Sequence, residues 1–171
     1  MKLLLLSSPN FFVEEDKILT TLFEEGLDML HLRKPNSEPV YCERLLTLLP
    51  ESYHQNIITN DHFYLKEEFD LKGIHLSRRN PEIPKGYKGV VTRTCYSLEE
   101  LPEAKKNSKY VILKNVFDSI SADGSKSAYT YEQLYEASRK GLIDKYVMAQ
   151  TGINIDNISE IQSLGFGGAV V

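Results

Sequence analysis

The sequence predicts a single-domain α/β protein of the (β/α)8 TIM-barrel class, and three observations predict it. Short apolar runs recur about eight times along the chain, each of roughly the 4–6 residues expected of a strand buried on both faces. Stretches with helical periodicity separate them, and such a regular beat implies parallel strands joined by right-handed crossovers. The length, 171 residues, suits one core and leaves too little for two comfortable domains. Eight strands point to a closed barrel, where five or six would point to a doubly wound sheet.

Strands are expected over 3–6, 29–32, 56–59, 73–76, 89–94, 110–114, 146–149 and 168–171. After the first, 14–25 reads as a helix with Ile18, Leu19, Leu22 and Phe23 on one stripe. The next helix, 39–49, has Pro39 in its first turn and Leu45, Leu46, Leu48 and Leu49 towards its end. A helical segment over 63–69 follows the third strand, with Asn60-Asp61 as an expected N-cap. Between Leu76 and Gly89 the segment 78–87 has room only for a Pro-broken loop, so the fourth helix is expected to be reduced. The helix over 97–106 opens with Ser97-Leu98-Glu99-Glu100, a capping-box spacing. Helices over 131–140 and 157–164 are each followed by glycine, Gly141 and Gly165, the usual C-cap residue. No eighth helix follows Val171. The expectation is that the chain continues naturally beyond this point or that another subunit covers the gap.

A net charge of −4 argues against general nucleic-acid binding, which needs Lys and Arg to neutralise phosphates. It leaves room for a small anion, for which a few local donors suffice. The opening MKLLLLSS lacks the longer apolar region and small-residue cleavage site of a signal peptide and reads as a buried first strand. No run approaches the roughly 20 apolar residues of a membrane span, so no membrane partner is expected. Cys42 and Cys95 have neither metal-ligand spacing nor a secreted-type framework, which suits a cytoplasmic protein.

Ligands of such barrels bind at the C-terminal ends of the strands. The residues there are His31, Arg33 and Lys34; Asn60, Asp61 and His62; Ser77, Arg78 and Asn80; Thr94 and Tyr96; Asn115 and the loop 118–127 with Lys126; and Thr151-Gly152. Arg33 suits a phosphate, because a planar guanidinium donates two parallel bonds. Asp61 is a candidate Mg2+ ligand, since that ion keeps waters and takes one or two protein carboxylates. Gly152 would let a phosphate approach backbone N–H groups. His75, inside a strand, reads as a packed core histidine, and Cys95 as inert.

In order along the chain, Glu25-Gly26-Leu27-Asp28-Met29-Leu30-His31-Leu32-Arg33, Ile57-Ile58-Thr59-Asn60-Asp61, Asp70-Leu71-Lys72-Gly73-Ile74-His75-Leu76, Ser97-Leu98-Glu99-Glu100, Tyr110-Val111 with Val116-Phe117, Gly152-Ile153-Asn154 and the segment from Gly165 to Val170 resemble the motifs of the thiamine-phosphate synthase and TenI family. The resemblance implies thiamine biosynthesis: a hydroxymethylpyrimidine diphosphate loses pyrophosphate, and the nitrogen of a thiazole phosphate attacks the resulting carbocation. It implies that Arg33 grips pyrophosphate, Asn60 hydrogen-bonds substrate and Thr94 contacts pyrophosphate; Lys126, in the loop after the sixth strand, is expected to reach in as a further catalytic cation. By the same resemblance Gly152 binds the thiazole phosphate and Asp61 holds Mg2+; from their places at the strand ends His31, Lys34 and Arg78 are expected to bind substrate as well, and Asn80 to stand as a second, poorer Mg2+ ligand.

This sequence departs from the family pattern at several of these positions. The pattern's glutamine is His31, its lysine after the arginine is Pro35, and its second Mg2+ aspartate is Asn80, which weakens the metal site. The lysine expected after the sixth strand falls on Ala122, the first glycine of Gly-Gly-Ile is Thr151, and the histidine expected of a TenI-type tautomerase is Tyr96. Lys34, Arg78, Arg79 and Lys126 are the cations at hand to compensate. The expectation is therefore a synthase-like transferase, with a tautomerase or a non-catalytic thiamine-phosphate-binding barrel as the alternative. Its partners are a phosphorylated pyrimidine, a phosphorylated thiazole, pyrophosphate and further copies of the chain in a homo-oligomer.

Overall fold

The structure, a computed structural model, describes residues 1–120 and 124–171. Its elements, in chain order, are β1 (Lys2–Leu6), α1 (Glu15–Glu24), β2 (Met29–Leu32), α2 (Pro39–Leu48), β3 (Ile57–Thr59), α3 (Leu65–Glu68), β4 (Gly73–Leu76), β5 (Val90–Cys95), α4 (Leu101–Lys106), β6 (Val111–Leu113), α5 (Tyr131–Arg139), β7 (Val147–Gln150), α6 (Ile158–Ser163) and β8 (Gly168–Val170), with 3-10 turns at Glu51–Asn56 and Leu98–Glu100. The strands pair in chain order as a closed barrel, and the described pairs are parallel. This is the (β/α)8 class. As expected, no helix stands between β4 and β5.

The chain packs as two compact units. In the unit Leu4–Val90 the register sets Leu30 beside Ile57 and Ile58 beside Gly73. Its core gathers Leu30, Leu32, Leu45, Leu46, Ile57 and Leu65. Residues on both faces of β2, β3 and β4 are buried, which is why these strands read as mainly apolar runs, interrupted by His31, Thr59, Gly73 and His75. The stripe expected on α1 is corrected: Leu19 and Phe23 are buried, whereas Ile18 and Leu22 are exposed. The buried line is Glu15, Leu19 and Phe23, four residues apart on one face. Its polar member is there because a buried lysine meets it.

The other unit comprises Met1–Leu3 and Val91–Val171. Its core is built from Leu101, Val111, Leu113, Leu134, Val147, Ile161 and Ala169. Gly141 and Gly165 stop α5 and α6 as expected. Each has a positive φ, and each helix ends in the paired backbone bonds of a Schellman motif, Leu142 N–H to Ala137 O and Phe166 N–H to Ile161 O. The expected capping box at Ser97 does not form, since the Ser97 side chain caps nothing and Glu100 accepts from the Tyr96 N–H at 3.0 Å. The box belongs to α5, where Thr130 and Gln133 bond each other's backbone N–H at 3.2 and 2.9 Å.

Candidate functional site

In the Leu4–Val90 unit the candidate residues leave β2, β3 and β4 at their C-terminal ends. His31 is fully buried, with its Nδ1 3.2 Å from Asn60 Oδ1 and its ring edge-on to buried His75 at 4.9 Å. Burial pulls the His31 pKa down to about 4, against a smaller opposing effect of the Asn60 bond. The ring is therefore neutral near pH 7, and its Nδ1–H donates to Asn60. His75 is the packed core residue the sequence suggested.

Asp61, 8% exposed, is the hub of this cluster. Its Oδ2 accepts from the Lys34 backbone N–H at 2.8 Å. Its Oδ1 accepts from Arg79 Nη2 at 2.6 Å, Arg79 Nε at 3.2 Å and Asn80 Nδ2 at 3.2 Å. The same Asn80 amide donates to the Asn60 carbonyl at 2.8 Å, while the Ser77 N–H donates to Asn80 O at 3.1 Å and ties together the ends of the segment 77–80. Asn60 and Asp61 do not cap a helix, because Tyr64 holds the N-cap position of α3 without a side-chain bond. The Asp61 carboxylate is directed to Lys34, Arg79 and Asn80 instead.

Arg33 is half-buried, and its backbone N–H donates to Ser7 Oγ at 2.9 Å, which returns a bond to Arg33 O at 3.1 Å. Arg78 is exposed. The Lys34 side chain is fully buried: its Nζ meets Glu15 Oε1 at 2.5 Å and Asn10 O at 3.1 Å, and lies 4.4 Å over the Phe11 ring. Lys34 thus reaches the cluster through its backbone, while its ammonium serves the segment that leads into α1.

In the other unit, Thr94 is half-buried on β5, beside Ile112. Gly152 has φ +73°, and a Cβ there would stand 2.8 Å from Phe117 Cβ and against the Asp118 backbone. Its carbonyl accepts from Asn157 Nδ2 at 2.7 Å. Thr151, where the family pattern has glycine, takes φ +81°, which is costly for a β-branched residue. The Asn115 N–H donates to its hydroxyl at 3.3 Å. Lys126 is exposed and pairs with Asp118 Oδ2 at 3.3 Å, while Asp118 Oδ1 takes the Ser127 N–H at 2.8 Å. These bonds, the Ser127 one foremost, hold the Asp118 carboxyl below its ordinary pKa. Ala122, where the pattern's lysine falls, lies outside the described residues. Cys95 is buried, and burial pushes its thiol up to about 11, in keeping with inertness.

The family model described as thiamine monophosphate synthase matches residues 7–171. The chain belongs to that family. A crystal structure of thiamine phosphate pyrophosphorylase from Bacteroides thetaiotaomicron is 54% identical, with a TM-score of 0.90 over 100% of this chain and 82% of that one. A thiamine-phosphate synthase of Flavobacterium johnsoniae is 23% identical over 99% of this chain and 86% of its own length. The thiamine phosphate pyrophosphorylase of Pyrococcus furiosus, 22% identical, shares the fold with a TM-score of 0.80 over 99% of this chain and 84% of that one.

The family implies Mg2+, and the donor set of this member does not fit it. One carboxylate is present, its Oδ1 already holds a guanidinium, and the neighbouring Asn80 offers an N–H rather than an oxygen. Asn80 is oriented by its neighbours: Asn60 O and Asp61 Oδ1 are both acceptors, so the amide nitrogen faces them. Among the described residues no group of three His, Cys, Asp or Glu converges. Sequence reasoning named Asp61 and Asn80 but missed Ser7 and Glu15. A serine at the end of the first strand and an acid on the buried line of α1 were the available signals.

Proposed function

We propose that this chain, as one barrel domain over residues 1–171, is a transferase of thiamine (vitamin B1) biosynthesis that joins a hydroxymethylpyrimidine diphosphate to a thiazole phosphate and releases pyrophosphate. The methylene carbon–oxygen bond breaks, with its electron pair leaving on pyrophosphate. The lone pair of the thiazole nitrogen then forms the new carbon–nitrogen bond. The observation that carries this reading is 54% identity across the whole chain to a protein solved as a thiamine phosphate pyrophosphorylase. The difficult step develops negative charge on the leaving group, so fixed donors aimed at that charge are what the reaction needs.

Arg33 grips the pyrophosphate, with Arg78 and Lys126 as further cations and the Thr94 hydroxyl as a neutral donor. Asn60, oriented by neutral His31, hydrogen-bonds the pyrimidine substrate. Gly152, packed against Phe117 and Asp118, presents its backbone to the thiazole phosphate. Lys34 acts through its N–H, which fixes Asp61. Asp61 and Asn80 are the remnant of the family's metal site, weakened by the loss of one carboxylate, and no step is assigned to Mg2+. With this reading go a cytoplasmic setting, no nucleic-acid or membrane partner, and self-association, which light scattering of the purified chain would register.

A second reading, a barrel that binds thiamine phosphate without forming it, is favoured by one observation, the strained Thr151 beside Gly152. Steady-state kinetics of Asn60→Ala separates the two. The transferase reading expects kcat/KM to fall by about 100–1,000-fold with the fold intact. Thiamine phosphate that binds, with no turnover from the parent protein, would establish the second reading.

A further inference from the structure

We propose that the Asp61–Arg79 pair takes the place of the divalent cation, so that the anion-binding end of the Leu4–Val90 unit works without metal. The inference rests on the transferase reading for the identity of its anion, pyrophosphate, and deepens that reading.

The argument starts from charge. Two carboxylates and a divalent cation are neutral together, and so are one carboxylate and one guanidinium. Position 80 is neutral where the family pattern has an aspartate, and position 79 carries a positive charge, so the pair is balanced with no ion added. The geometry agrees with the charge. In a metal site, Asp61 and a second carboxylate at position 80 would turn oxygens to the ion. Here the groups beside Asp61 Oδ1 are hydrogen-bond donors: Asn80 Nδ2 bonds both Asn60 O and Asp61 Oδ1, and the Arg79 fork closes on Asp61 Oδ1. An aspartate at position 80 would put a second anionic oxygen beside Asp61 Oδ1, so Asn80 suits a carboxylate whose partner is a guanidinium.

Arg79 is also built to receive an anion. Its side chain is 36% exposed, while that of Asp61 is 10% exposed, so the pair has a buried end and an open end. A guanidinium has five N–H donors, and the bonds to Asp61 use two of them. Asp61 fixes the plane of the fork, and planar, pre-oriented donors suit a phosphate better than a flexible ammonium does. Arg79 is thus a positioned anion donor, and Asp61 and Asn80 are its positioning residues.

The test is calorimetric titration of the full chain with inorganic pyrophosphate, in EDTA and then in excess Mg2+, run beside an assay for thiamine phosphate formation. The expected result is an affinity that differs by less than about threefold between the two conditions. Arg79→Ala, shown folded by circular dichroism, should weaken binding at least tenfold in EDTA, and Arg79→Ala/Asn80→Asp should recover it only when Mg2+ is present. Binding by the parent protein that is tenfold or more weaker in EDTA would overturn the inference without use of any variant. So would an Arg79→Ala protein of unchanged affinity, or no binding under either condition. Thiamine phosphate formed only with Mg2+ would sink the inference and leave the transferase reading standing. Metal-free, Arg79-dependent binding without product would do the reverse.

Discussion

A lysine with no exposed surface is the least expected residue in this chain, because Lys is almost never fully buried unless paired. Lys34 meets that condition through Glu15, whose second oxygen, Oε2, has no hydrogen-bond partner among the described residues. Removing one member leaves a buried charge unmatched, which typically costs about 3–5 kcal/mol. Glu15→Ala and Lys34→Met should each lower the unfolding free energy from denaturant melts by that order, and Glu15→Gln/Lys34→Met should lose less than either. A loss below about 1 kcal/mol for both single variants would show that the ammonium is hydrated. Sequence could not show this pair: its members are 19 residues apart, on a helix and after a strand, and no periodicity links them.

His31 carries a pH signature at the same scale. Its folded pKa lies near 4, below the ordinary 6.5, because burial disfavours the charged ring. Between those values the unfolded chain binds the proton and the folded chain does not, so stability rises with pH and levels off above about 6.5. The full span is on the order of 3 kcal/mol. Denaturant melts at pH 5 and pH 7 should show the slope, and His31→Gln should remove most of it. An unchanged slope in that variant would place the titrating group elsewhere.

At the scale of elements, the turn after β7 carries the sharpest steric constraint. Thr151 and Gly152 both take positive φ, and Gly152 lies against Phe117 and Asp118. Gly152→Ala adds a left-handed alanine, at about 1 kcal/mol, to a Cβ clash, so a total loss of about 1–3 kcal/mol is expected by denaturant melting. A loss under 0.5 kcal/mol, on the order of a neutral surface change, would mean that residues 117–118 yield freely. Most strands were legible because residues on both faces are largely apolar, with Thr92, Arg93 and Thr94 of β5 the exception, and Gly141 and Gly165 marked helix ends correctly because only glycine takes that conformation cheaply. The capping box was misplaced because Ser97-x-x-Glu100 and Thr130-x-x-Gln133 carry the same spacing, and only the second opens directly into an α-helix, whereas Ser97 opens the 3-10 turn Leu98–Glu100. On α1, Ile18 and Leu22 were read as buried from hydrophobicity, yet Glu15 fixes which face turns inward.

For the whole molecule, barrel class and family follow from the order of strands and motifs, and the likeness to the Bacteroides thetaiotaomicron protein extends over the full chain. The candidate site was legible as positions, since strand ends are where such folds place their chemistry. The direction of each side chain was not. Nothing in the run Ser77-Arg78-Arg79-Asn80 says that the second arginine forks onto Asp61, or that Asn80 presents its nitrogen rather than its oxygen. The transferase reading itself turns on product formation. The purified chain should be incubated with hydroxymethylpyrimidine diphosphate and thiazole phosphate, and both products should be followed together. The account predicts thiamine phosphate and pyrophosphate appearing in equal amounts over many turnovers. Pyrophosphate without thiamine phosphate, or neither product from a folded chain, would contradict it.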